Sequence, residues 1–150
     1  PKDTSFATRM LDLPNGQVLF NDGHHVLQVY TAGGTPQASW RPSITSLSST
    51  ALAPGSTYTL SGKQLAGLDQ GTAYGDDVQN ATNFPVVRIT NAATGVVTYA
   101  RTSGWTSVSV RPGRSSSTKF TLPPGTPAGK SSLVVIANGI ASAPSAVTVS

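Results

Sequence analysis

Cysteine does not occur in this chain of 150 residues, which excludes a disulfide framework and thiol catalysis and removes the commonest structural ligand of zinc. Glutamate is missing as well; the six acidic residues are all aspartates, so the paired glutamates of many hydrolases cannot be assembled. The two histidines, His24 and His25, are neighbours beside Asp22. Adjacent residues on a strand point to opposite faces, so they do not readily share a metal ion, and with no third partner the usual nucleophile–base arrangement lacks members. Long hydrophobic runs are absent: no stretch approaches the roughly 20 apolar residues that span a bilayer, and Pro1-Lys2-Asp3 is not the start of a signal peptide, so a soluble, mature or trimmed piece with no membrane insertion is expected. Charge is scarce too, at 11% of residues against roughly 25% in an average soluble protein. The net charge of +4 comes from scattered basic residues, the densest group being Arg111 and Arg114, which is too sparse for a phosphate-binding face. Nucleic acid is therefore not an expected partner.

What the chain does contain is short apolar runs, such as residues 26–29, 86–89 and 133–136, separated by turn-forming residues. Eleven prolines and no sustained helical period argue against helices. Pro14-Asn15-Gly16 between Arg9-Met10-Leu11-Asp12-Leu13 and Gln17-Val18-Leu19-Phe20 signals a hairpin, and Asn21-Asp22-Gly23 turns into a third strand from His25 to Tyr30. The boundary falls within residues 33–41, at Gly33-Gly34-Thr35-Pro36, giving a β-meander over residues 1–35 and a β-sandwich over residues 36–150. In the second region, turns at Pro54-Gly55, Gly75-Asp76, residues 91–95, Pro112-Gly113, Pro123-Pro124-Gly125 and Asn138-Gly139 bound strands expected at 43–48, 56–62, 84–91, 96–102, 106–110, 117–122 and 131–137, with a further one at 145–149. The fold class is all-β: an antiparallel, immunoglobulin-like sandwich preceded by a short meander.

From Pro42-Ser43-Ile44-Thr45-Ser46-Leu47, through Pro54-Gly55-Ser56-Thr57-Tyr58-Thr59-Leu60-Ser61-Gly62, to Ser131-Ser132-Leu133-Val134-Val135-Ile136-Ala137-Asn138-Gly139, the chain resembles the immunoglobulin-like early-set domain at the C-terminus of galactose-oxidase-like proteins. In that family the sandwich follows a kelch-type β-propeller, and residues 10–30 look like the closing strands of its last blade. In the copper-radical oxidases of the family, a loop equivalent to residues 73–85 gives a histidine to copper, four residues after a Tyr-Gly pair. The same count from Tyr74-Gly75 lands on Gln79, an amide in place of an imidazole, and the other ligands belong to a propeller this chain lacks. The resemblance therefore implies a non-oxidase parent and, for this chain, neither catalytic residues nor a cofactor.

The polar loop nevertheless remains the candidate functional segment, through Tyr74, Gly75, Asp76, Asp77, Gln79, Asn80 and Asn83. Its aspartates and amides could offer oxygens to calcium, but the same residues build turns by bonding their own backbone, and no metal is assigned. Trp40 and Trp105 are candidate platforms for stacking on sugar rings, whereas Tyr58 belongs to the core. Asn80-Ala81-Thr82 matches a glycosylation acceptor and is given no role. The expected function is that of a non-catalytic accessory domain of an extracytoplasmic or secreted protein, its partner being the parent's β-propeller or a second copy of the chain. The alternatives are a carbohydrate-binding module and a piece of an enzyme whose catalytic residues lie in the propeller.

Overall fold

The computed structural model describes residues 8–21, 23, 25–69, 73–74, 78–79 and 84–150. Three strands, β1 (Arg9–Asp12), β2 (Gln17–Asn21) and β3 (Leu27–Thr31), form an antiparallel meander. Its first hairpin closes where Asn-Gly stands, with Gly16 N–H donating to Leu13 O and Leu13 N–H to Gln17 O. The Asn15 side chain fixes the turn by accepting from Gln17 N–H.

A 3-10 helix at Ala38–Trp40 leads into the sandwich. Its strands are β4 (Ser43–Leu47), β5 (Ala51–Leu52), β6 (Thr57–Lys63), β9 (Val86–Asn91), β10 (Val97–Ser103), β11 (Ser115–Thr121), β12 (Gly129–Ala137), β13 (Ile140–Ala141) and β14 (Ser145–Val149). Between β6 and β9 lie two short strands, β7 (Ala73–Tyr74) and β8 (Val78–Gln79), which among the described residues pair with each other alone. The sandwich strands follow the order β4-β6-β11-β10-β9-β12-β14-β5, with β13 beside β12. Strand β10 joins the two layers: Val97 to Arg101 pair with β9, and Thr102 and Ser103 pair with β11. Nearly every pairing is antiparallel, the exception being β5 against β14.

Alternation explains the core. In β9, Val87, Ile89 and Asn91 point inward while Val86, Arg88 and Thr90 are half-buried. Val87 and Ile89 meet Leu52, Leu60, Phe120, Leu122, Leu133 and Val147 in one cluster. Tyr58 packs against its rim, 5.7 Å from the Phe120 ring, and accepts a 2.6 Å hydrogen bond from Ala53 N–H, as expected of a core tyrosine with a polar tip. The all-β sandwich anticipated from the turn spacing is the observed architecture, and among the described residues no helix is long and apolar enough to cross a membrane.

One expected strand is absent. Residues 107–110 alternate serine with valine, yet residues 106–110 form no ladder. Strand β10 covers β11 only at Phe120 and Lys119, and the next bonds to β11 come from Thr106, whose N–H donates to Ser117 O but whose side-chain hydroxyl, not its carbonyl, accepts from Ser117 N–H, so the ladder is not continued. The serines bond their own backbone instead: Ser107 Oγ accepts from Ser109 N–H, and Ser109 Oγ from Arg111 N–H. Conversely, the short strands β5 and β13 at the sheet margin carry no run long enough to have been read as strands.

Candidate functional site

The polar segment expected to carry function leaves the sandwich after β6 and returns at β9. Gly75, Asp76, Asp77, Asn80 and Asn83 lie outside the described residues, as does Asn80-Ala81-Thr82 as a motif. The backbone of Tyr74 pairs with Val78 and that of Ala73 with Gln79, so the stretch read as a loop contains a small hairpin.

Both feet of this segment are held by the sandwich. At the first, Asn138 in the β12–β13 turn accepts from Leu68 N–H at 3.2 Å and donates through Nδ2 to Asp69 O at 3.2 Å. The approach is close enough that a Cβ on Gly67 would stand 1.6 Å from Asn138 Oδ1. At the second foot, Phe84 stacks on Trp105 with ring centroids 4.1 Å apart and planes 13° from parallel. Trp105 Nε1–H donates to Thr102 Oγ1 at 2.9 Å, and the Thr102 hydroxyl donates to Pro85 O. Trp105, considered above as a sugar platform, thus has one ring face covered by Phe84 and its indole N–H engaged.

The β12–β13 turn reaches in a second direction. A Cβ on Gly139 would lie 2.6 Å from Gly16 Cα and 3.1 Å from Leu13 O, so this turn sits directly against the first hairpin of the meander. Neighbouring residues therefore touch both the chain leading toward the polar segment, at Leu68 and Asp69 through Asn138, and the meander, through Gly139. Sequence reasoning marked Asn138-Gly139 as a turn only; its partners stand some 70 to 120 positions away, and no local signal announces them.

The meander itself is the most unusual surface. Register places Leu11, Leu19 and Val29 side by side on one face, and Val18 beside Tyr30, with Phe20 next along β2, on the other. Leu27, Val29 and Tyr30 are 61%, 54% and 62% exposed. A groove of about 520 Å³ runs over the second face, lined by Val18, Phe20 and Tyr30 among others.

Trp40 is 44% exposed and stands at the junction of the meander and the sandwich. The backbone on either side of it is fixed by Gln64, whose Nε2 donates to Ser39 O and Arg41 O while its Oε1 accepts from Gly113 N–H. His25 is exposed, and His24 and Asp22 lie outside the described residues. Among the described residues no three of His, Cys, Asp and Glu stand together in a way that could hold a metal ion. The chain has no cysteine and its two histidines are neighbours in sequence, so it offers few of the nitrogen and sulfur donors that copper favours. No family model and no curated protein sequence matches the chain.

Proposed function

We propose that this chain is a non-catalytic accessory domain of a galactose-oxidase-like, extracytoplasmic protein, packing on a β-propeller and presenting the polar segment of residues 75–83 to it. The observation that carries the reading is the meander. A sheet apolar on one face belongs at the surface of a domain, whereas one apolar on both faces, with Leu27, Val29 and Tyr30 more than half exposed, is built to lie between two other layers. A propeller blade is such a layer. Further support comes from the β12–β13 turn, which brings the first foot of the polar segment and the first hairpin of the meander to one end of the sandwich. A partner that covered the meander would meet the segment there as well. The sandwich, with an early-set type of strand arrangement on this reading, supplies rigidity, and its clamps at Asn138 and Trp105 fix where the segment begins and ends.

Hydrogen exchange tests this. Amides of β1 to β3 should exchange faster than those of β9 and β12 in the 150-residue chain. Joined to the sequence preceding it in the full-length protein, the meander should become protected by at least about tenfold. Unchanged exchange in the longer chain would refute the reading, and equal protection acquired by self-association, seen as a dimer in sedimentation, would assign the meander to a second copy instead.

A further inference from the structure

The junction of the meander and the sandwich is a cleft of about 430 Å³, within the ~300–1,000 Å³ of small-molecule sites. Trp40 and Ile140 supply its apolar part, and Asn15, Gln17 and Thr31 a polar row along the meander. The row is ordered by its own hydrogen bonds. Asn15 Nδ2 donates to Gln17 Oε1 at 2.6 Å, and Gln17 Nε2 donates to Thr31 Oγ1 at 2.9 Å. Each bond spends an acceptor and leaves a donor: the second proton on each amide nitrogen, and the Thr31 hydroxyl proton. Among the described residues, none that lines the cleft carries a charge.

A half-exposed indole opposite a row of pre-oriented neutral donors matches the chemistry of one ligand class. A sugar ring offers an apolar C–H face to an aromatic platform and hydroxyl oxygens to N–H and O–H donors at its edge. The lack of charge selects against uronic acids and sulfated glycans, because an anion would lose its hydration with no cation to replace it. A proline-rich peptide also stacks on tryptophan, but it is held in grooves lined by several aromatic side chains, and this cleft has a single one. We infer that the cleft between the meander and the sandwich is a binding site for a neutral glycan, with Trp40 as the stacking platform and Asn15, Gln17 and Thr31 as the polar edge. The site stands apart from the accessory role proposed above and does not depend on it.

The test uses the full 150-residue chain, with neutral cello-, xylo-, manno- and chito-oligosaccharides as probes and tryptophan fluorescence and calorimetry as readouts. A Trp105→Phe variant leaves Trp40 as the chain's one indole reporter, and it should bind as the parent does. At least one of the neutral probes should bind with a millimolar or tighter Kd and shift the Trp40 emission. Binding should weaken by at least about tenfold in Trp40→Ala, and measurably in Gln17→Ala, with unchanged melting temperatures in both. Failure of every neutral probe to bind, binding that survives Trp40→Ala, or a preference for polygalacturonate or a proline-rich peptide would overturn the assignment. Should Trp40→Ala unfold, loss of binding in Gln17→Ala, or its persistence there, decides the matter in the same way.

Discussion

Two sheet systems in this chain are made from similar residues and end in opposite surroundings. In the sandwich, β9 sends Val87 and Ile89 into a shared core and keeps Arg88 and Thr90 toward its outer side. In the meander, Leu11, Leu19 and Val29 crowd one face while Val18, Phe20 and Tyr30 crowd the other, and β1 and β3 are exposed along their whole length. The difference teaches where each sheet's stability comes from. Alternation lets one sheet face water and a core at once, whereas a sheet apolar on both faces draws its hydrophobic stabilisation from layers outside itself.

The largest effect that would sharpen this contrast is expected in the core. Phe120→Ala removes a side chain that is 1% exposed and should cost about 3–5 kcal/mol, read as a lowered midpoint in urea unfolding. Leu27→Ala, at a residue 61% exposed, should change stability by no more than about 0.5 kcal/mol in the same measurement. Similar losses at the two positions would break the contrast.

An intermediate effect is expected at the β12–β13 turn. Asn138→Ala deletes the hydrogen bonds to Leu68 N–H and Asp69 O and should cost about 1–2 kcal/mol, with faster exchange of the Leu68 amide. The second clamp should behave alike. Trp105→Ala strips Phe84 of its stacking partner and removes the indole N–H that Thr102 Oγ1 accepts, a loss of about 1–2 kcal/mol on melting.

Much of the sandwich was legible in the sequence because turn residues and alternation are local signals. Pro54-Gly55, Pro112-Gly113 and Asn138-Gly139 bound real strands, and Tyr58 packs against the core, as a sandwich's need for large aromatics inside suggested. Residues 106–110 show the limit of that reading. Ser107-Val108-Ser109-Val110 alternates as a strand would, but the Thr106 hydroxyl takes the Ser117 N–H and the Ser107 and Ser109 hydroxyls take nearby backbone N–H groups, so side chains compete with the ladder. Less of the candidate site could be read. The composition of residues 75–83 marked the segment as polar, but the groups that hold its feet, Asn138 and Trp105, act on backbone and ring partners far away in sequence or across a turn. Trp40 and Trp105 looked equivalent as exposed aromatics; folding stacked one on Phe84 and left the other at a cleft.

The most direct test of the contrast removes the meander altogether. Deleting residues 1–35 takes away β1 to β3 and leaves the strands from Ser43 onward, with the cluster of Leu52, Leu60, Phe120, Leu133 and Val135 intact. Thermal melting followed by circular dichroism should show a folded, cooperative β protein whose midpoint stays within about 5 °C of the parent, the size of shift expected from about 1 kcal/mol in a domain of this length. A truncated chain that is unfolded, or that melts without a cooperative transition, would show that the meander is part of the sandwich core and would contradict the account.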